Sequence, residues 1–147
     1  MESVAANKAP KPERNLWKML KIPPRGNALH EALDHGFRAD VFSELTGLSG
    51  LGRESLAKAL GFAPATLQRR MSRGRFTTEE SDRLFRLIKL MSEAARLFEG
   101  DLDAARDWVN QPVKGLGSRR PVEMMPTSAE ADEVFALIGR LEHGVLA

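Results

Sequence analysis

Five side chains able to bond nucleic acid fall within ten residues of one another. They are Thr66, Gln68, Arg69, Arg70 and Arg73 in PATLQRRMSR, residues 64–73. Arginine offers a bidentate fork to guanine or to phosphate, and threonine and glutamine can bond base edges or phosphate. The preceding octet RESLAKAL, 53–60, has helical spacing through Leu56, Ala57 and Leu60. Gly61 then supplies a left-handed turn, and Pro64 suits the first turn of a new helix, where its missing N–H costs nothing. Helix, glycine turn and short arginine-bearing helix is the plan of a helix-turn-helix. Leu67 and Met71 are expected to face inward. One departure is plain: the position usually apolar near the end of the second helix holds Arg70, so the adjacent Met71 must fill that role. A basic helical hairpin on the surface of a bundle would carry similar residues, so the spacing leaves both readings open.

Other chemistry is sparse. The histidines, His30, His35 and His143, have no partner at metal-binding spacing, and there is no H-E-x-x-H. There is no cysteine, which removes disulfides, thiolate zinc sites and thiol nucleophiles. No G-x-x-x-x-G-K-[ST] loop occurs, and GLSGLG at 47–52 misses the dinucleotide spacing and follows no strand. Gly115-Leu116-Gly117 beside Arg119 and Arg120 reads either as an anion-holding loop or as a tight turn with solvated arginines. The chain is expected to be a non-enzyme with no catalytic residues, no cofactor and no metal.

The elements that must position the arginines are helical throughout. Short amphipathic segments run over 13–21 and 27–35, with Asn27 as N-cap and Gly36 as C-cap. Val41, Phe42, Leu45 and Leu48 mark a helix over 38–48. Thr77 and Glu80 form a T-x-x-E capping box that opens the longest helix, about 78–99, with an apolar stripe from Leu84 to Phe98. A short helix over 102–110 precedes a Gly- and Pro-punctuated loop, 112–126. Thr127 caps a last helix, 128–143, with Val134, Phe135, Leu137, Ile138 and Leu141 inward. Strand signals are nearly absent, so the fold class is all-α.

The 147 residues and 42% hydrophobic content suffice for one core, and the net charge of +2 is uninformative as a whole. Its distribution is not. Residues 1–75 hold 13 basic and 7 acidic side chains, a net of +6, whereas 76–147 hold 9 and 13, a net of −4. Two halves of opposite sign suggest two partners, one of them a polyanion. MESVAANKAPKPER lacks the apolar core of a signal peptide, and no run of 18 apolar residues could span a bilayer, so no membrane partner and a cytoplasmic location are expected. Residues 1–12 bury little and are expected to be mobile.

With these motifs in order, the chain resembles a known family. LAKALGFAPATLQRRMSRGRFTTEESDRLFRL is similar to the helix-turn-helix half of Xre-type antitoxins. The stretch from Ala105 onward resembles the toxin-binding domain of Xre/MbcA/ParS antitoxins. Its marks are Trp108 with Pro112, LGSRRP at 116–121, Thr127, and LIGRLEHGVLA at 137–147. The resemblance covers roughly 38–147. Three departures stand out: Ser118 where a second glycine is usual, Glu130 where a glycine often follows the cap, and Met124 and Met125 in place of leucines.

The resemblance implies an antitoxin of a type II toxin-antitoxin system. Its cognate partner would be a RES-domain toxin acting on NAD or transferring ADP-ribose, and operator DNA would be bound for autoregulation. Three segments are expected: 1–37, where Leu16, Trp17 and Leu20 either make a dimer contact or fold onto the chain's own core; 38–100 binding DNA; and 101–147 binding toxin. The expected toxin contacts are Leu116, Gly117, Arg120, Pro121, Arg140, Glu142, His143 and Gly144, with the apolar tail Val145, Leu146 and Ala147 plugging the toxin's pocket. Half-sites on DNA call for a homodimer or a larger hetero-oligomer with toxin. Two other classes fit the residues: a helix-turn-helix regulator whose C-terminal region dimerises or binds a ligand, and an interaction scaffold that has lost DNA contact.

Overall fold

The computed structural model describes residues 15–144. Among these the chain forms eight α-helices and two short 3₁₀ turns: α1 (Leu16–Leu20), α2 (Gly26–His35), α3 (Ala39–Ser49), α4 (Arg53–Leu60), α5 (Pro64–Arg73), α6 (Thr78–Leu97), α7 (Leu102–Val109), the turns Lys114–Leu116 and Pro121–Met124, and α8 (Ser128–Glu142). The all-α reading holds. The expected mobility of residues 1–12 and the tail contact of Val145, Leu146 and Ala147 lie outside the described residues.

Local chemistry explains most boundaries. Thr77 accepts from the Glu80 amide, and the Glu80 carboxylate accepts from the Thr77 amide at 2.9 Å, closing the capping box of α6. Thr127 caps α8 by accepting from the Glu130 amide, while its hydroxyl donates to the Glu130 carboxylate. Gly61 ends α4 at φ +78°, a conformation glycine adopts without steric cost. Asn27 does not cap α2: the N-cap is Arg25, with no side-chain bond to the first turn, and the helix begins one residue ahead of Asn27.

Helix α6 is the spine. It packs against α1, α2 and α3 on one side and α7 and α8 along its C-terminal half. Leu84, Leu87, Ile88, Leu90, Met91 and Ala94 are fully buried along it. Each large apolar side chain so buried contributes about 1.5–3 kcal/mol. Phe42, Phe62 and Phe76 stack in a triangle of centroid distances 5.7–6.3 Å, tying α3 to the turn before α5 and the segment after it. Arginines of α6 fasten its neighbours by their carbonyls. Arg83 donates to Leu60 and Gly61 at the end of α4, and Arg86 to Met125 and Pro126 ahead of α8.

The N-terminal helices fold onto this same core. Leu16 and Leu20 are 2% and 1% exposed, so they have no surface left for a second chain. That corrects the expected dimer contact at these two positions: the apolar face of α1 is covered intramolecularly, against α6. Trp17 is half-buried, with its ring 5.3 Å from that of Phe85 on α6.

Candidate functional site

The helix-turn-helix geometry is present in α4 and α5. Helix α5 is anchored by Leu67, which is buried, and by Met71, half-buried against the core. Pro64 occupies its first turn, and Gly74 ends it at φ +90°. Opposite Leu67, a shallow depression is lined by Ala65, Gln68, Arg69, Ser72 and Arg73. Positions i, i+3, i+4, i+7 and i+8 share one helical face. Gln68, Arg69 and Arg73 are exposed, and among the described residues neither arginine makes an ion pair. Arg69 lies 3.5 Å from the Thr66 hydroxyl, which is only half-exposed. The face is therefore exposed and cationic.

Arg70 is not on that face. Its Nε donates to Glu80 at 2.6 Å, and the two side chains are 13% and 10% exposed. The expected DNA contact at Arg70 is corrected to an internal pair that ties α5 to the first turn of α6. Burial disfavours the Glu80 charge. The bond from Arg70, with those from the Thr77 amide and hydroxyl, outweighs it and holds the carboxyl below its usual range. The Glu80 hydrogen bond raises the Arg70 guanidinium in turn. The capping-box glutamate is legible in the sequence. Its second role, pairing with Arg70, is not.

The C-terminal face is built from the loop 112–126 and α8. Leu116 and Pro121 are buried, so these two cannot meet a partner and their expected role is corrected: they seat the loop on the core. Val113 and Arg119 pair across the loop as an antiparallel bridge, bringing Gly117 and Ser118 to its exposed tip. Ser118 keeps φ +63°, the left-handed conformation that a glycine would occupy without strain. Arg119 donates to Glu130 at 2.8 Å, pinning the tip to the start of α8 and holding that carboxyl low. Arg120 pairs with Glu123 at 2.7 Å.

At the other end of α8, Arg140, His143 and Gly144 are exposed. Glu142 is bonded by Arg96 of α6 at 2.9 Å, and Lys89 sits 4.3 Å from the centroid of the Phe135 ring. Burial pushes the Glu93 carboxyl above its usual range, with Lys89 and Arg96 opposing and Glu142 reinforcing the shift. The loop tip and the end of α8 are thus distinct exposed patches. Lys89, Glu93 and Arg96, which sequence reasoning does not single out, share the second patch because α6 runs beside α8.

An all-α helix-turn-helix protein with a helical extension on the same core is what the geometry defines. Similarity to known proteins carries this further. A family model described as the antitoxin Xre-like helix-turn-helix domain matches residues 28–89. Another, the antitoxin Xre/MbcA/ParS C-terminal toxin-binding domain, matches 93–144. An Antitoxin Xre of Yersinia enterocolitica is 39% identical over 136 residues, covering 91% of this chain and 92% of that protein. An Antitoxin Xre of Photorhabdus laumondii is 34% identical over 134 residues, 90% of each. The chain belongs to the Xre antitoxin family.

Proposed function

We propose that this chain is the antitoxin of a type II pair, that it neutralises a RES-domain toxin acting on NAD, and that it represses its own operon through α5. The observation that carries the reading is the order of parts: a helix-turn-helix and a toxin-binding segment, both matched, run consecutively on one core. It acts by binding, not by turnover. The partner is a NAD-using pocket that accepts an anionic pyrophosphate and flat apolar groups, and the apolar residues Val145, Leu146 and Ala147 enter its mouth. Arg140, Glu142, His143 and Gly144 rim that contact, and Gly117 and Arg120 flank it. Two chains, or a complex holding two, place copies of α5 about 34 Å apart on an inverted repeat. Trp17 is the remaining N-terminal contact for such pairing. No helix of the described residues is long and apolar enough to cross a membrane, and the protein works in the cytoplasm.

Two experiments test this. Co-expression with the adjacent gene product should protect cells, and deleting Val145–Ala147 should abolish protection. Unchanged protection with an unchanged complex discards the plug. Reversing Arg69 and Arg73 to Glu should abolish operator binding in a band shift while leaving toxin capture intact. Equal operator affinity after that reversal removes α5 as the recognition helix.

A further inference from the structure

Beyond the exposed end of α5 lies a second concentration of positive charge. The chain leaves α5 through Gly74, and residues 74–76 run antiparallel to 37–39. The Ala39 amide donates to Gly74 and the Phe76 amide to Phe37, both at 2.9 Å. These bonds flank Arg38 and Arg75, which face each other as an isolated bridge. Opposite residues in such a non-hydrogen-bonded pair have Cα atoms only about 4.5 Å apart, and their side chains leave the same side. Like charges there are destabilising.

The backbone pairing sends the two arginine side chains to the same side nonetheless, and each guanidinium is held by a backbone carbonyl. Arg38 donates to Leu20 at 2.9 Å, and Arg75 to Gly36 at 2.6 Å. Asp40 neutralises part of one charge through a 3.0 Å bond to Arg38. Arg75 is exposed, and among the described residues it has no acidic partner. Each guanidinium has five N–H donors, and most here remain unused. Arg73, exposed at the end of α5, lies two residues away along the chain.

We propose that Arg38 and Arg75 form a phosphate clamp that grips the DNA backbone beside the C-terminal end of α5. The proposal rests on the reading that α5 enters a groove. Its chemistry is that of a duplex backbone: two cations on paired backbone positions, each pre-positioned by a main-chain bond, with no base-reading group among them. The clamp therefore adds affinity and register but no sequence preference.

The test uses the full chain and two duplexes of about 30 base pairs, room for two half-sites one helical turn apart. One duplex carries the sequence upstream of the chain's own gene, and the other is a scramble of it. In the double variant Arg38→Gln/Arg75→Gln, affinity should fall alike on both duplexes. The log–log salt slope should become shallower by about 0.9 per lost contact. Between 50 and 200 mM salt the wild type should then lose, for each bound chain, about 12-fold more affinity than the variant. Arg75→Lys, which keeps the charge, should retain the wild-type slope. Gln68→Ala in α5 should lose discrimination between the duplexes with its slope unchanged. Should the double variant melt without cooperativity, Arg75→Gln alone should still flatten the slope by about 0.9 per bound chain. A wild-type slope in the arginine variants, alongside lost discrimination in Gln68→Ala, overturns the clamp and leaves α5 standing. A wild type that binds both duplexes equally, with Gln68→Ala inert, overturns the reading of α5, and the slope on the scramble then decides the clamp. No binding to either duplex at 50 mM salt overturns both.

Discussion

Replacing Gly36 by alanine should cost more than the same change at Gly47, Gly61 or Gly74. Gly36 joins α2 to the segment that pairs with residues 74–76, at φ +86°. A side chain in this backbone region costs about 1–3 kcal/mol in strain. A Cβ would also stand 2.0 Å from the Phe76 carbonyl oxygen, a main-chain atom that cannot swing aside. Relief requires the two segments to part, loosening the Phe76-to-Phe37 and Ala39-to-Gly74 hydrogen bonds. Those two are worth about 0.5–1.5 kcal/mol each. The sum is about 2–6 kcal/mol. At a chain length of 147 residues each kcal/mol lowers the melting temperature by roughly 2–4 °C, so a fall of about 10 °C is expected. Gly47 is the control, since its added Cβ meets nothing within 4 Å and its φ is not positive. Gly47→Ala should raise stability by about 0.5–1 kcal/mol. Circular dichroism melts of the wild type and the two variants decide the matter. If Gly36→Ala melts within about 3 °C of wild type, less than the smallest expected fall, the close approach of the two segments is wrong.

Ser118→Gly should stabilise slightly. Removing left-handed strain gains roughly 1–2 kcal/mol, of which glycine's extra unfolded freedom takes back about 0.5–1. Ser118→Val, β-branched at φ +63°, should melt below wild type, and the opposite order of the two variants would refute the strain. Acid stability should depend on Glu80. Its folded pKa lies below the unfolded value of 4.5, so its contribution is complete above that value and lost as pH falls through the folded one. Melting temperature followed downward from neutral pH should therefore drop less steeply in Glu80→Gln than in wild type. Parallel curves would remove Glu80 as an acid-sensitive tie. Glu80→Gln should also weaken operator binding without changing its salt slope, because Arg70 touches Glu80 and not phosphate.

What can be read from the sequence is what neighbours along the chain decide. The T-x-x-E box at Thr77, the cap at Thr127, Gly61 after α4 and Pro64 at the start of α5 are signals of at most four residues, and each stands where its local chemistry puts it. Leu67 in and Gln68 and Arg69 out follow from helical period alone. The corrected positions depend on contacts across the fold. By spacing Arg70 is one more outward cation, but α6 delivers Glu80 beneath it. Leu116 and Pro121 belong to a loop whose Gly and Pro content signals exposure, yet both are buried. Periodicity shows that Leu16 and Leu20 share an apolar face but not that the chain's own core covers it. The Arg38–Arg75 pair, 37 positions apart, has no local signature.

The two matched segments meet between residues 89 and 93, inside α6. That division is one of homology and not of folding. Helix α6, about 30 Å long at 1.5 Å per residue, buries Leu84, Leu87 and Ile88 before the junction and Met91 and Ala94 after it, all in one contiguous core. Helix α8 adds Val134, Leu137 and Ile138 to that core, each at most 2% exposed. At about 1.5–3 kcal/mol apiece, these three alone amount to roughly 5–9 kcal/mol, an upper estimate because the unfolded chain already hides some of this surface. Whole domains are stable by only about 5–15 kcal/mol. The helix-turn-helix half therefore leans on the C-terminal half for its fold. One tie across the junction is specific: Arg86 of α6 donates to the Met125 and Pro126 carbonyls at the entry to α8.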